Sequence, residues 1–433
     1  MRKAALHNLG CKVNSYETEA MTQLLKKAGY EIVSFQDQAD VYIINTCSVT
    51  NMADRKSRQM LHKAKKQNPN AVVVATGCYV QTATEKVAQD LSIDLVVGNN
   101  RKKDIVEILN EYYAEKEAGE QVKEEYVIDI NHTDEYEDLE ISTVTEHTRA
   151  HLKIQDGCNN FCSYCIIPYA RGRIRSRTME SIKAELERLS ASGFKEIVLT
   201  GINLSCYDDN GKKLIDVIEM ADNVNGIERI RLGSLDPEVV TEDFVERLGK
   251  VKKICPHFHF SLQSGCDKTL KAMNRHYTSD EYYEKCQLIR KYIDNPAFTT
   301  DVIVGFPGET EEDYISSREF VKKVKFAELH VFKYSKRDGT VAAKMPNQID
   351  EKRSEDLIKT GEELTKEFRQ AKIGQDTTVL FEEKILLDNK EYWVGHTVDY
   401  IKIAVPQKEN LEGQIRKVNV KDFLTNEIML ATM

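Results

Sequence analysis

Apolar and polar positions along the first hundred residues follow two alternating periods, and the switches between them outline a fold. Short apolar runs at 3–9, 41–44, 71–75 and 94–97 have the length of strands. Ala71-Val72-Val73-Val74-Ala75 contains no polar position, as expected of a strand covered on both faces. Between these runs the period lengthens. Tyr16, Ala20, Leu24 and Ala28 share one face of 15–28, and Ala53, Ser57, Met60, Leu61 and Ala64 share one face of 51–67, each at helical spacing. A further helix is expected at 103–110. Strands alternating with helices predict a parallel, doubly wound sheet.

A second run of alternation begins at Ala150-His151-Leu152-Lys153-Ile154-Gln155. It is followed by a helix at 179–191 and by strands at 196–200, 227–232, 257–263, 299–304 and 327–332. Six such repeats fall short of a closed eight-fold barrel, which takes about 250 residues, so a partial (β/α)6 barrel is expected. His259, Ser261 and Gln263 alternate with Phe258, Phe260 and Leu262, so one polar stripe should face the lumen. Residues 344–370 read as a charged helical connector. Short strands at 377–382, 392–397, 400–405 and 414–420 predict a small barrel, with Tyr392, Trp393 and Tyr400 clustered in it. The expected fold class is thus α/β: a doubly wound domain at 1–113, an acidic linker at 114–146 with a possible edge strand around 126–130, a partial barrel at 147–343, a connector at 344–372 and an all-β barrel at 373–433.

Composition changes this picture in two places. The 433 residues are 41% hydrophobic and 30% charged, a globular balance with room for two or three cores. No apolar run approaches the ~20 residues of a membrane span. The start of the chain shows no secretory h-region, so the chain reads as cytoplasmic. The net charge of −9 argues alone against a nucleic-acid partner. However, 114–146 holds twelve acidic residues and two lysines, which leaves the remainder near neutral, and local basic patches decide. One patch is the face of 51–67 bearing Arg55, Arg58, His62 and Lys66, which suits either solvent or phosphate. The other is Arg171, Arg173, Arg175 and Arg177, at every second position in a stretch free of acids from Gly157 to Met179. Their planar forks suit phosphate, with a solvated basic edge as the plainer alternative.

The candidate chemistry lies in the ten cysteines, which in a cytosolic chain are ligands, reactive thiols or small core residues rather than disulfides. Cys158, Cys162 and Cys165 have the spacing C-x3-C-x2-C. A structural zinc takes four N/S ligands, whereas three thiolates on one loop suit an iron–sulfur cluster with one iron left open. Cys11, Cys47 and Cys78 each follow a predicted strand end, in Leu-Gly-Cys, Asn-Thr-Cys and Thr-Gly-Cys. Loops at the carboxyl ends of such a sheet share one crevice, so a second cluster is favoured over three unrelated thiols. Cys206, Cys255, Cys266 and Cys286 have no paired spacing and read as isolated buried thiols. Small polar or glycine signals end four barrel strands, at Thr200-Gly201-Ile202-Asn203, Leu232-Gly233-Ser234, Ser261-Leu262-Gln263-Ser264-Gly265 and Val304-Gly305-Phe306-Pro307-Gly308-Glu309. Four on one rim argue for a ligand bowl. No residue stands out as an obligatory acid or base.

The three-cysteine loop, with Tyr164 just before its last cysteine, resembles the radical S-adenosylmethionine (SAM) superfamily. The whole order of parts resembles the radical-SAM methylthiotransferases over essentially the entire chain. Asn8-Leu9-Gly10-Cys11-Lys12-Val13-Asn14, Tyr169-Ala170-Arg171-Gly172 and Thr200-Gly201-Ile202-Asn203-Leu204 are similar to the bacterial branch acting on N6-threonylcarbamoyladenosine at tRNA position 37. Lys333 departs from it, where relatives often have proline. The tail resembles the RNA-binding TRAM module, although 373–433 carries ten acids against seven Lys/Arg. The resemblance implies a 4Fe–4S cluster on Cys158, Cys162 and Cys165 whose open iron chelates SAM. It implies an auxiliary 4Fe–4S cluster on Cys11, Cys47 and Cys78 that carries the sulfur. A donor such as flavodoxin or ferredoxin would supply the electron that cleaves SAM to a 5′-deoxyadenosyl radical. That radical would take hydrogen from carbon 2 of the adenine, and a second SAM would give the methyl group. Tyr164, Gly201, Asn203, Ser234 and Gln263 would contact SAM, and Arg171, Arg173, Arg175 and Arg177 the tRNA anticodon arm. The rival expectations are the isopentenyladenosine branch and a zinc-stabilised RNA-binding protein.

Overall fold

The computed structural model describes residues 1–119, 125–141, 148–348, 353–407 and 409–433. Its first sheet has six parallel strands in the spatial order Glu31–Ile32, Lys3–Asn8, Val41–Thr46, Val72–Gly77, Leu95–Val97, Glu125–Tyr126. The two central strands are buried along their whole length, and separate apolar clusters cover the two faces. The chain starts in the second position and then moves the other way, so the order reverses between Lys3–Asn8 and Val41–Thr46. Doubly wound sheets open a crevice at such a switch point. Cys11 and Cys47 follow these two strands.

The acidic stretch differs from a solvated connector. Residues 120–124 and 142–147 lie outside the described residues. Of the rest, Glu125–Tyr126 adds the sixth strand, and Ile130, Leu139 and Ile141 are buried. Residues 114–118 finish the helix Ile105–Ala118, and the apolar residues beyond it act as single anchors. Leu139 and Ile141 join the core of the central barrel, and the Leu139 carbonyl accepts a bond from Tyr16 Oη of the first helix.

The central unit is a parallel, open arc of six strands: Arg149–Lys153, Glu196–Thr200, Arg229–Leu232, His257–Phe260, Ala297–Val304 and Glu328–Lys333. The third breaks at Gly233 and resumes as Ser234–Leu235 beside His257–Phe260. Phe258, Phe260 and Leu262 pack outward against the helices, so the intervening His257, His259 and Ser261 face the lumen.

The helix Ser354–Gln370 packs on the last strand, where a Cβ at Gly361 would sit 3.1 Å from Leu329 Cβ. Residues 349–352 of the expected connector lie outside the described residues. The tail is a closed five-stranded barrel, and it plugs the amino-terminal end of the central barrel. Arg229 donates to the His396 and Thr378 carbonyls (3.0 and 2.8 Å), Arg231 donates to Val398 and Thr397 (2.9 and 3.1 Å), and Glu196 lies between the two arginines. Tyr400 stacks between His257 and His396, with centroids 4.8 and 4.7 Å apart. Trp393 belongs to the small barrel's core and Tyr392 is also buried. The tail's clustered aromatics therefore hold structure together, and none of these three rings is exposed for stacking on a base.

Candidate active site between two cysteine trios

Each cysteine of the first trio stands where a strand gives way to a helix. Cys11 caps the helix Lys12–Lys27, Cys47 follows Val41–Thr46, and Cys78 opens the short helix Cys78–Thr82. Two glycines make the close approach possible. Gly10 has φ +107°, and a Cβ there would lie 2.9 Å from Cys47 Sγ; Gly77 has φ +98°, and a Cβ would lie 2.5 Å from the Thr46 carbonyl oxygen. Both conformations favour glycine. Burial pushes the Cys47 thiol up to about 11, and Cys78 and Cys11 push it the same way. The three sulfurs are thus electrostatic neighbours, with Cys11 still open to solvent.

The second trio sits on a loop braced from below. Gly157 has φ +74° and donates to Asp156 Oδ1 at 2.8 Å; a Cβ there would come within 1.8 Å of the Arg173 carbonyl oxygen. Gly157→Ala is expected to collapse the loop, so that the reconstituted variant holds about half the wild-type iron, as counted by metal analysis. The segment after the helix Asp267–Ala272 forms the brace. Ser163 N donates to the Met273 carbonyl (2.9 Å), Asn274 Nδ2 to the Asn160 and Phe161 carbonyls (3.1 and 3.2 Å), and Tyr277 Oη to the Ser261 carbonyl (2.5 Å). Burial and neighbouring Cys162 push the Cys165 thiol up to about 12.

The surroundings of the sulfurs suit ligand thiolates. Arg275 Nη1 lies 3.2 Å from Cys162 Sγ, while Nη2 is held by Asp236 at 2.7 Å. Arg171 Nε lies 3.3 Å from Cys78 Sγ. A fixed guanidinium beside a buried sulfur matches a thiolate far better than a neutral thiol, which is a weak acceptor. Two sets of three cysteines, each with a sulfur beside a fixed guanidinium, suit two clusters that each leave one metal without a protein ligand.

The residues expected around SAM fall close to the cluster loop. Asn203 N donates to Gln155 Oε1 at 2.7 Å, and its Nδ2 is 3.9 Å from Cys158 Sγ. A Cβ at Gly201 would stand 3.0 Å from the same Gln155 oxygen. Ser234 Oγ is 3.2 Å from Ser261 Oγ. Gln263 has φ +69° and donates its backbone N–H to the Asp301 carbonyl at 2.9 Å. The Tyr164 ring packs edge-on against Phe306, centroids 6.5 Å apart. Gln155, Asp236 and Arg275 share this rim without any sequence motif to announce them.

The four arginines do not form one basic edge. The chain runs as a short helix, Ile167–Arg171, turns at Gly172 (φ +71°), and pairs again only at Arg175–Ser176. Arg171 is fully buried and engages Glu17 Oε1 (2.5 Å), Asn14 Oδ1 (2.5 Å) and Asp156 Oδ2 (3.3 Å). Arg175 is buried on the Arg171 and Arg173 carbonyls. Arg177 pairs with Glu185 (2.7 Å) and Asp138 (3.0 Å). Buried and occupied in this way, these three do not meet the expectation of phosphate contact. Arg173 is half-buried over the Phe161 ring, 4.5 Å away. Lys102 and Lys153 close the network on Glu17 at 2.7 and 2.8 Å. Burial would raise the Glu17 carboxyl, but Arg171, Lys102 and Lys153 outweigh it and hold it well below the usual carboxylate range. Lys153 and Arg171 likewise hold Asp156 low against burial. Arg171 therefore reaches from a sulfur of one trio to the aspartate that begins the loop of the other. On the helix Asn51–Gln67, Arg55, Lys56 and Lys66 are exposed, Arg58 bonds Tyr79 Oη at 3.2 Å, and His62 contacts Asp90 at 2.8 Å.

Comparison with known proteins agrees with this layout. The radical SAM superfamily matches residues 152–321, and the uncharacterized protein family UPF0004 matches residues 3–98. The chain is 41% identical over 430 residues to a Bacillus subtilis protein named threonylcarbamoyladenosine tRNA methylthiotransferase MtaB, covering 97% of this chain and 94% of that protein. An Aquifex aeolicus protein of the same name is 39% identical over 394 residues, covering 89% and 95%. A Pelotomaculum thermopropionicum protein named tRNA-2-methylthio-N(6)-dimethylallyladenosine synthase is 34% identical over 395 residues, covering 88% and 87%. Among solved structures, the radical SAM methyltransferase TsrM from Kitasatospora setae shares the fold, with a TM-score of 0.58, 17% identity, and coverage of 77% of this chain and 73% of that one. No helix among the described residues is long and apolar enough to cross a membrane. The superfamily's chemistry rests on a 4Fe–4S cluster and SAM. The chain belongs to the radical-SAM methylthiotransferases, a family of transferases, in the branch whose relatives are named for threonylcarbamoyladenosine in tRNA.

Proposed function

We propose that this chain is a cytoplasmic enzyme that methylthiolates carbon 2 of N6-threonylcarbamoyladenosine at position 37 of tRNA. The observation that carries the reading is Arg171, which contacts Cys78 Sγ and Asp156 at once and so holds the two cysteine loops to one site. Cys158, Cys162 and Cys165 would hold the 4Fe–4S cluster that binds SAM, and Cys11, Cys47 and Cys78 an auxiliary one bearing the sulfur. When bound, these groups supply radical cleavage of SAM and the sulfur to be transferred. The protein's own part is placement. Gly201, Asn203, Ser234 and Gln263 line the rim where SAM would lie, and Tyr164 backs the cluster loop. Arg275 and Arg171 offset the negative charge that accumulates on the cluster sulfurs. The tail barrel closes the far end of the lumen against water.

The tRNA anticodon arm would approach the open rim. Arg173 and the exposed Arg55, Lys56 and Lys66 are side chains that could meet its phosphates. A small reducing protein of the flavodoxin or ferredoxin class would deliver the electron. The units of this enzyme would be 1–113, 114–146, 147–343, 344–372 and 373–433. The test is a reaction of the anaerobically reconstituted protein with SAM, a reductant and two anticodon stem-loops, one carrying the threonylcarbamoyl group and one the isopentenyl group. Methylthiolation of the first alone is expected. Methylthiolation of the second alone would assign the chain to the other branch, and an iron-free, zinc-loaded protein after reconstitution would defeat the radical chemistry altogether.

A further inference from the structure

The lumen of the central barrel carries a polar cluster that neither cysteine loop uses. His259, Asp301 and His330 stand on three adjacent parallel strands, with Thr299 opposite His259 and Asp301 opposite His330. Their ligand-bearing atoms all lie within 4.8 Å of one another. His259 Nδ1 is held by Thr299 Oγ1 at 3.0 Å, which leaves Nε2 facing Asp301 Oδ1 at 3.5 Å, beyond hydrogen-bond reach. The His330 ring lies against His259, centroids 5.8 Å apart.

The depth of this cluster matters. Two residues further along the same lumen stripe is Ser261, whose carbonyl accepts from Tyr277 Oη and from Arg275, the arginine that touches Cys162. Two residues before is His257, stacked on the Tyr400 floor. His259, Asp301 and His330 thus occupy the layer between the cluster loop and the floor. That is where the tail of a nucleobase held at the rim would reach.

We propose that His259, Asp301 and His330 form the subsite that recognises the N6 substituent of the target adenosine, a proposal that rests on the function proposed above. A threonylcarbamoyl group carries a carboxylate, a hydroxyl and ureido N–H groups. The two imidazoles donate to the carboxylate, and Asp301 accepts from the hydroxyl or an N–H. An isopentenyl group offers none of these and would cover three polar side chains without replacing their water. A site built to bond polar groups rejects an analogue that lacks them far more strongly than an apolar pocket rejects an extra one.

The test uses the reconstituted full chain and two stem-loops, one with the natural threonyl carboxylate and one with that carboxylate converted to a primary amide. Wild type is expected to lose roughly 10- to 100-fold in kcat/KM on the amide, mainly through KM, as the loss of charge-assisted bonds implies. His330→Ala and Asp301→Asn should keep wild-type iron content and thermal midpoint. His330→Ala should lose a similar factor on the carboxylate and little more on the amide, whereas a merely structural role would multiply the two losses. Multiplied losses, or a His330→Ala variant equal to wild type, would overturn the proposal. So would activity that requires a zinc ion bound by wild type and lost in His259→Ala, which would assign the cluster to a metal. A wild type that ignores the threonylcarbamoyl stem-loop altogether would overturn the proposed function, and the subsite with it.

Discussion

Replacing Cys158, Cys162 and Cys165 together with alanine is expected to leave the folded protein with about half its iron and no measurable formation of 5′-deoxyadenosine or methylthiolated RNA. The reason is the separation of the two trios on the chain's architecture. The loop of the second trio is braced by the segment 272–277 and by Asp156, while the first trio hangs from strand ends of a different sheet with its own cores. Removing the three sulfurs of one loop removes no ligand of the other. Iron and sulfide analysis with a SAM-cleavage assay reads the outcome. The converse triple change at Cys11, Cys47 and Cys78 should retain SAM cleavage while losing sulfur transfer, so the two variants together divide the chemistry. A complete loss of iron in either would mean that the sites are wrongly divided.

Glu17→Ala is expected to cost about 3–5 kcal/mol of stability, the range for removing one partner from a buried ion pair. Glu17 is fully buried and takes contacts from Lys102, Lys153 and Arg171. Without it, three cations are left with Asp156, itself paired with Lys153 at 2.6 Å, and with Glu137, whose carboxyl burial pushes up. Because Arg171 also touches Cys78, the variant should lose iron from the first trio as well. The pH dependence has a definite sign. Glu17 and Asp156 are held below the usual carboxylate range, so the unfolded chain binds more protons than the folded one as pH falls through and beneath that range. Their stabilisation is present at neutral pH and is lost on acidification. A urea midpoint followed from neutral to acid pH should fall steeply in wild type and less steeply in Glu17→Gln, which has no charge to lose there.

Much of this site was legible in the sequence because its signals are local. The spacing of Cys158, Cys162 and Cys165 is a property of one loop. Cys11, Cys47 and Cys78 could be gathered because a doubly wound sheet brings its strand ends to one edge, and Gly10 and Gly77 mark the tight approaches. The alternation through His257–Phe260 placed His259 in the lumen for the same reason. The arginines were another matter. Four at alternate positions read as one edge of an extended strand, but Gly172 interrupts it. Glu17, the partner that buries Arg171, is 154 residues away in the chain, and Arg177 pairs back to Asp138 in the acidic stretch. Long-range charge pairing leaves no trace in spacing. Arg275 was missed for a similar reason, since it reaches Cys162 through a brace that exists only once the barrel is folded. In the tail, Trp393 and Tyr400 carry side chains equally able to stack on a base or to fill a core, and only the packing of Trp393 in the small barrel's core and of Tyr400 against His257 decides between them.

Methylthiolation of threonylcarbamoyladenosine in tRNA by this chain can be read by mass spectrometry of nucleosides from tRNA of cells lacking the protein, beside cells in which it is restored. Loss of 2-methylthio-N6-threonylcarbamoyladenosine is expected, with accumulation of its unmethylthiolated precursor, recovery on restoration, and 2-methylthio-isopentenyladenosine unchanged. Loss of the isopentenyl product alone, with the threonylcarbamoyl product intact, would contradict it.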